Sequence, residues 1–134
     1  MKNILIAVDF HEKTQLFVDK AQELAKSFDS KVWLLHVSGV KPDNEEDAQE
    51  LRDEQAELQV ITDHLIKQGI ATEAIFAHGP TIDSILEKAK EFKIDLIISG
   101  HHKHGFLYRA LYGDTTKNLI KKSKIPVLVV PLDD

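Results

Sequence analysis

Near its start the chain carries the apolar run Ile4-Leu5-Ile6-Ala7-Val8, which Asp9 follows at once. Four more short runs rich in apolar and β-branched residues recur along the sequence, namely Val32–Val37, Ala74–Ala77, Leu96–Ser99 and Val127–Val130. Near-continuous hydrophobicity over so few residues is typical of parallel strands that are covered on both faces. The third run stands beside Glu73 and is the least apolar, which favours an edge position for it.

Stripes of apolar residues at helical spacing separate these runs. Three of the stripes are Phe17–Phe28, Leu51–Leu65 in an acidic segment that begins near Asn44, and Ile82–Phe92. A shorter helix is predicted from about Thr115 to Lys122. Strict alternation of strand and helix predicts an α/β fold, an open parallel five-stranded sheet with helices on both faces and right-handed crossovers. We expect residues 1–134 to form a single domain.

Composition restricts the class of protein. The 134 residues are 43% hydrophobic and 29% charged, which is ordinary for a globular domain and argues against disorder. The chain contains no cysteine, so disulfides, thiolate chemistry and cysteine-based metal sites are excluded. No signal-peptide pattern precedes the first run, and no apolar run approaches the roughly 18 residues that span a bilayer. We therefore expect a cytoplasmic protein without a membrane segment.

The charge is unevenly distributed. The net charge is −5, yet the segment from His101 to Lys124 contains six lysines and arginines against Asp114 alone, so that it carries +5 within an otherwise acidic chain. A basic segment in an acidic protein fits a local anion site better than a nucleic-acid surface, which usually makes the whole domain basic. The alternative is a solvated helical face, since lysines are favoured in the last turn of any helix.

Polar residues follow three of the predicted strands. The strand ends are Ala7-Val8-Asp9, His36-Val37-Ser38 and Ser99-Gly100-His101-His102. Ligands of open parallel sheets bind at the carboxyl ends of strands, where the strand order reverses. The third of these ends leads into a long connection that reaches about Asp114, and connections of that length in compact domains tend to be functional.

These motifs together resemble the universal stress protein family over essentially the full length. The resemblance rests on the opening Ile-Leu-Ile-Ala-Val-Asp, His36-Val37, the Gly79-Pro80 turn, Asp95-Leu96-Ile97-Ile98-Ser99-Gly100 and Ile125-Pro126-Val127-Leu128-Val129-Val130-Pro131. It implies a Rossmann-like sheet of the adenine nucleotide alpha hydrolase type. It also implies a regulatory stress-response protein that binds ATP or AMP, with Mg²⁺ allowed and no cofactor obligatory.

Nucleotide-binding members of that family carry G-x-x-G, nine residues, then G-[S/T] after the fourth strand. Gly100 and Gly113 match the first and last glycines, whereas Lys103 occupies the middle position and Asp114 the final one, with Thr115 next. A lysine supplies positive charge but its Cβ can block close approach of the backbone, and an aspartate repels phosphate unless Mg²⁺ lies between them. By resemblance, the nucleotide would contact Ala7, Asp9, Val37, Gly100, Lys103, Gly113, Asp114, Thr115 and Thr116.

Several of these residues have ordinary structural interpretations. Asp9 can cap the first helix or loop, Val37 can be a normal strand end, and His36 on an apolar strand is more often a core histidine than a ligand. The cluster of His101, His102 and His104 suggests a metal, but adjacent loop positions point in different directions. A pH-sensitive anion site or an adventitious metal is favoured over a physiological metal site.

The sequence lacks the common catalytic motifs. It contains no G-x-S-x-G, no Walker-type loop, no H-E-x-x-H and no G-x-G-x-x-G after the first strand. We therefore predict a binding protein and not an enzyme, with slow ATP hydrolysis as the lower alternative. The other alternative is a stress protein without nucleotide binding that acts through its dimer surface.

The last apolar run suggests that surface. It is short, strongly apolar and close to the end of the sequence, so we expect it near a sheet edge, and an exposed apolar edge must be covered. The family resemblance implies a symmetric homodimer that pairs through this strand, residues Val127, Leu128, Val129 and Val130.

Overall fold

The computed structural model describes residues 1–101 and 113–132, without the side chains of residues 113–115. The strands are β1 (Asn3–Ala7), β2 (Lys31–Ser38), β3 (Thr72–His78), β4 (Leu96–His101) and β5 (Val127–Pro131). They form one parallel five-stranded sheet in the order β3-β2-β1-β4-β5. The predicted fold class is confirmed, and β3 and β5 lie at the two edges as expected.

Four helices connect the strands in the described part of the chain. These are α1 (Thr14–Phe28), α2 (Glu45–Lys67), α3 (Thr81–Glu91) and α4 (Gly113–Lys122). The last helix begins two residues before the predicted Thr115. The apolar pattern could not locate this start, because the first buried side chains described in α4 are Thr116 and Leu119.

The helices cover both faces of the sheet, as expected. Side chains of β1 alternate between the two cores, so that Ile4 and Ile6 pack under α1 and α2 while Leu5 packs under α3 and α4. All three are at most 1% exposed. Burial on both faces is the reason why β1 reads as an unbroken apolar run, since neither face of the strand meets water.

A carboxylate joins β1 to β4 at the amino end of the sheet. Asp95 Oδ2 accepts hydrogen bonds from the backbone N–H groups of Lys2 and Asn3, each at 2.9 Å. These two bonds hold the pKa of Asp95 below its ordinary value, because they favour the charged form. The contact gives a structural role to the aspartate that precedes the fourth apolar run.

Helix α2 extends past the sheet. Asn44 caps its first turn by accepting a hydrogen bond from the Asp47 N–H at 2.8 Å. The buried residues of α2 begin only at Leu58, although the helix starts at Glu45. Its first half therefore projects along the carboxyl end of the sheet. Within the described residues, no helix is both long and apolar enough to cross a bilayer.

Candidate functional site

A cavity of about 370 Å³ opens at the carboxyl end of the sheet, between β1 and β4. The chain adds strands on one side of β1 up to β3 and then returns to the other side with β4, so this is where the strand order reverses. Crevices at such reversals are the usual ligand sites of open α/β sheets. The cavity lining described is Ala7, Val8, Asp9, His11, Phe17, Leu35, His36, Val37, Gly39, Val40, Glu50, Glu54, Thr81, Ile85, Ser99, Gly100, His101, Thr116 and Leu132.

Gly100 lies in the lining where β4 meets α1 and the residue after β5. A β-carbon added at this position would lie 2.9 Å from Leu132 Cδ1 and 3.3 Å from Phe17 Cδ1. Both side chains are buried. The glycine therefore avoids a close contact with these side chains, which is a reason separate from the close phosphate approach that the motif suggested.

The same glycine is tied to α4. Thr116 Oγ1 donates a hydrogen bond to the Gly100 carbonyl at 3.0 Å, and the Leu132 N–H donates to the His101 carbonyl at 2.9 Å. The first bond holds α4 against the end of β4, and the second holds the residue after β5 against it. The N-terminus of a helix presents unpaired N–H groups and partial positive charge, which suits an anion.

Asp9 sits in a compact turn between β1 and α1. Thr14 Oγ1 donates to the Asp9 carbonyl at 2.7 Å and accepts from the His11 N–H at 2.8 Å, while Asp9 Oδ1 accepts from the Phe10 N–H at 3.2 Å. Burial raises the pKa of the Asp9 carboxyl, and nearby His36 and His11 and the Phe10 N–H only partly oppose that rise. Asp9 thus stabilises its own turn but does not cap α1. The N-cap residue of that helix is Lys13, whose side chain makes no capping hydrogen bond.

Three polar side chains meet at the end of β2. His36 Nδ1 lies 3.0 Å from the Val8 carbonyl, and Glu54 Oε2 accepts from Ser38 Oγ at 2.7 Å. The second imidazole nitrogen, His36 Nε2, is 3.5 Å from Glu54 Oε1 and has no hydrogen-bond partner among the described residues. His36 is buried as the sequence suggested, but only one of its two nitrogens is satisfied.

The structure brings five of the predicted site residues into one cavity. Ala7, Asp9, Val37, Gly100 and Thr116 all line it. Their roles toward a ligand remain predictions.

The remaining predicted residues cannot be placed in the same way. Lys103 lies outside the described residues, together with His102 and His104. Gly113, Asp114 and Thr115 begin α4, but their side chains are outside the description. No group of three metal-ligating side chains occurs in the described ranges 1–101 and 113–132.

Glu54 was missed by the sequence reasoning, although a signal for it exists. Residues Leu51, Leu58, Ile61 and Leu65 form the apolar stripe of α2, and Glu54 occupies the same stripe at spacings of three and four. A carboxylate inside an apolar stripe calls for a polar partner, because burying an unpaired charge is costly. Glu54 has such a partner in Ser38 and lies near His36, whereas Glu50, one turn earlier, is exposed at the cavity rim.

The chain matches the universal stress protein family over residues 1–131. It is 33% identical over 137 residues to universal stress protein C of Escherichia coli O157:H7, with 97% of this chain and 95% of that protein covered. A crystal structure of a universal stress protein in complex with cAMP superposes with a TM-score of 0.76 at 21% identity, covering 98% and 97% of the two chains. A structure of the universal stress protein from Archaeoglobus fulgidus in complex with dAMP gives a TM-score of 0.70 at 21% identity, covering 96% and 97% of the two chains.

Proposed function

Because this chain belongs to the universal stress protein family, we propose that it binds an adenine nucleotide in the cavity between β1 and β4 and acts as a regulatory domain without catalysis. The observation that carries the proposal is the convergence of Ala7, Asp9, Val37, Gly100 and Thr116 on that cavity. Its volume, about 370 Å³, lies within the range of roughly 300–1,000 Å³ that is usual for small-molecule sites. Two relatives of the same fold carry cAMP and dAMP.

The charges of the cavity favour one orientation of the nucleotide. The carboxylates in the described lining are Asp9, Glu50 and Glu54, and lysine and arginine are absent from that part of it. A phosphate placed against this wall would be repelled. We therefore place the adenosine against the ends of β1 and β2, and the phosphates toward Gly100 and the N-terminus of α4, in the basic segment 101–124.

The phosphate end determines how many phosphates can be held. The sequence supplies Lys103 there but also Asp114, and a polyphosphate beside an aspartate needs a cation such as Mg²⁺ between them. We propose that AMP binds without a metal ion and that ATP binds as its Mg²⁺ complex.

Ligand-dependent thermal stability tests this proposal. Millimolar AMP or ATP with Mg²⁺ should raise Tm progressively with concentration, because a ligand that binds only the folded state stabilises it. At one hundred times Kd the gain is about 2.7 kcal/mol, which for a domain of this size is on the order of 10 °C. Mg²⁺ alone and GMP serve as controls.

An unchanged Tm with AMP, with ATP and with ATP plus Mg²⁺ would refute the nucleotide proposal. The same samples, assayed for ADP and inorganic phosphate, separate binding from hydrolysis. Turnover that disappears in the Asp9→Asn variant would replace the regulatory proposal with the hydrolase alternative.

We also propose a homodimer that pairs through β5. The strand lies at a sheet edge, and Val127, Leu128 and Val129 are each only partly buried there. An apolar edge with free backbone groups invites pairing with a second copy.

Light scattering at micromolar concentration should report a dimer, and Val129→Lys should shift it toward monomer. Val60→Lys on α2, where the valine is 68% exposed, is the matched control. A wild-type monomer at these concentrations would refute the dimer.

A further inference from the structure

The two nitrogens of His36 are in different situations. Nδ1 lies 3.0 Å from the Val8 carbonyl. A carbonyl oxygen can only accept a hydrogen bond, so Nδ1 carries a hydrogen. In the neutral imidazole the other nitrogen, Nε2, is then an acceptor with no hydrogen of its own.

Nε2 faces a second acceptor. Glu54 Oε1 lies 3.5 Å away, and the carboxylate is held in place because its other oxygen accepts from Ser38 Oγ at 2.7 Å. The gap is longer than the roughly 2.7–2.9 Å of a charge-assisted hydrogen bond. Two acceptors that face each other repel, whereas a proton on Nε2 would let the ring donate to Glu54 and close the gap.

Although His36 is among the residues that line the cavity, its Nε2 is closed to a ligand atom. His36 is 3% exposed and its Nε2 is fully buried. The ring packs between Phe10, with centroids 4.3 Å apart, and Phe76, with centroids 5.6 Å apart. The unpaired nitrogen therefore belongs to the protein interior and does not form part of the nucleotide contacts proposed above.

Charged and titratable groups face the ring from three elements. The turn after β1 contributes Asp9 and His11, both of which interact electrostatically in this cluster. Helix α2 contributes Glu54, with Glu50 one turn earlier on the cavity rim. Strand β3 contributes His78, whose ring meets the edge of Phe76. A proton on His36 would thus be added among three carboxylates.

We propose that His36 and Glu54 form a proton-dependent latch between β2 and α2. With Nε2 protonated, the imidazolium donates to Glu54 Oε1 and holds the first half of α2 against the cavity. With Nε2 neutral, the contact opens. Glu54 can control this segment because residues 45–57 of α2 include no buried side chain in the structure. The latch needs no bound ligand, so it can be tested independently of the nucleotide proposal.

Hydrogen exchange at residues 45–57 tests the latch across pH 5.5–8.0, after correction for the intrinsic pH dependence of exchange. In the wild type, we expect roughly tenfold slower exchange at the acid end of this range than at the alkaline end, because only the protonated ring can donate to Glu54. Nitrogen NMR of the His36 ring in the same samples should show a hydrogen on Nε2 wherever exchange is slow and none wherever it is fast.

Two substitutions at residue 54 should act in opposite ways. In Glu54→Gln the amide can donate to neutral Nε2 while its carbonyl still accepts from Ser38, so protection should stay high at every pH. In Glu54→Ala no partner remains, and exchange should stay fast at every pH. Glu57→Gln removes the same charge from an exposed residue of the same helix, and it should keep the wild-type pH dependence.

Folding of each variant can be checked independently with Trp33. This is the only tryptophan of the chain, and it stacks on Phe92 with ring centroids 4.3 Å apart at the other end of β2. Unchanged Trp33 fluorescence establishes that a variant is folded. Wild-type exchange without pH dependence, or the same pH dependence in folded Glu54→Gln as in the wild type, would overturn the latch.

Discussion

Replacing Gly100 with alanine is expected to lower the free energy of unfolding by roughly 1–3 kcal/mol, the usual cost of overpacking a core. The same change should weaken the binding of any ligand in the cavity. The new β-carbon would stand 2.9 Å from Leu132 Cδ1 and 3.3 Å from Phe17 Cδ1. Both side chains are buried, at 4% and 2% exposed, so the new β-carbon is accommodated only if one or both of them move. Leu132 and Phe17 both line the cavity, so their movement would also change the shape of its wall.

Gly39→Ala provides the matched control for this substitution. Gly39 also lines the cavity, but a β-carbon added there meets nothing within 4 Å. Chemical denaturation followed by Trp33 fluorescence should show a loss of stability in Gly100→Ala alone. Equal midpoints for the two variants would show that the glycine at residue 100 is not required for packing.

Replacing Asp9 with asparagine is expected to stabilise the protein at neutral pH while weakening adenine nucleotide binding. Burial raises the pKa of this carboxyl, so the folded state prefers the protonated form more strongly than the unfolded state does. Above the raised pKa the ionised carboxylate therefore costs stability. This cost falls as pH drops through the raised pKa toward the unfolded value of 3.8, and it is gone below that value. Asparagine never incurs it.

The difference in stability between Asp9→Asn and the wild type should therefore be largest near pH 7 and vanish in acid. The same change should weaken nucleotide binding by roughly 10- to 100-fold, since a hydrogen bond to a charged group contributes about 1.5–3 kcal/mol. Denaturation at several pH values and a nucleotide titration measure the two effects.

A gain in stability together with a loss of affinity would identify Asp9 as a residue retained for binding at a cost to the fold. Asp63→Asn, on the exposed face of α2, is the control for a generic change of charge. A wild-type affinity in Asp9→Asn would remove this residue from the proposed site, and a loss of stability at pH 7 would contradict its raised pKa.

Sequence reasoning grouped residues next to strand ends that line one cavity, but it missed Glu54 on a helix. Asp9, Val37 and Gly100 directly follow or end apolar runs. Because the carboxyl ends of parallel strands lie at one edge of the sheet, this was enough to group them. Glu54 lies 16 residues beyond Ser38 in the chain, and their contact depends on the angle at which α2 crosses the sheet. No local pattern encodes that angle.

The amino-acid sequence by itself determined the order of the elements, the burial of the sheet on both faces, the edge position of β3 and the family. Those properties follow from the period and composition of short segments, which are local. Only the tertiary structure decided that Gly100 packs closely against Leu132 and Phe17, and that His36 Nε2 lies 3.5 Å from Glu54 Oε1 without a hydrogen-bond partner among the described residues. Both depend on distances between segments far apart in the chain, which side-chain packing sets and periodicity does not.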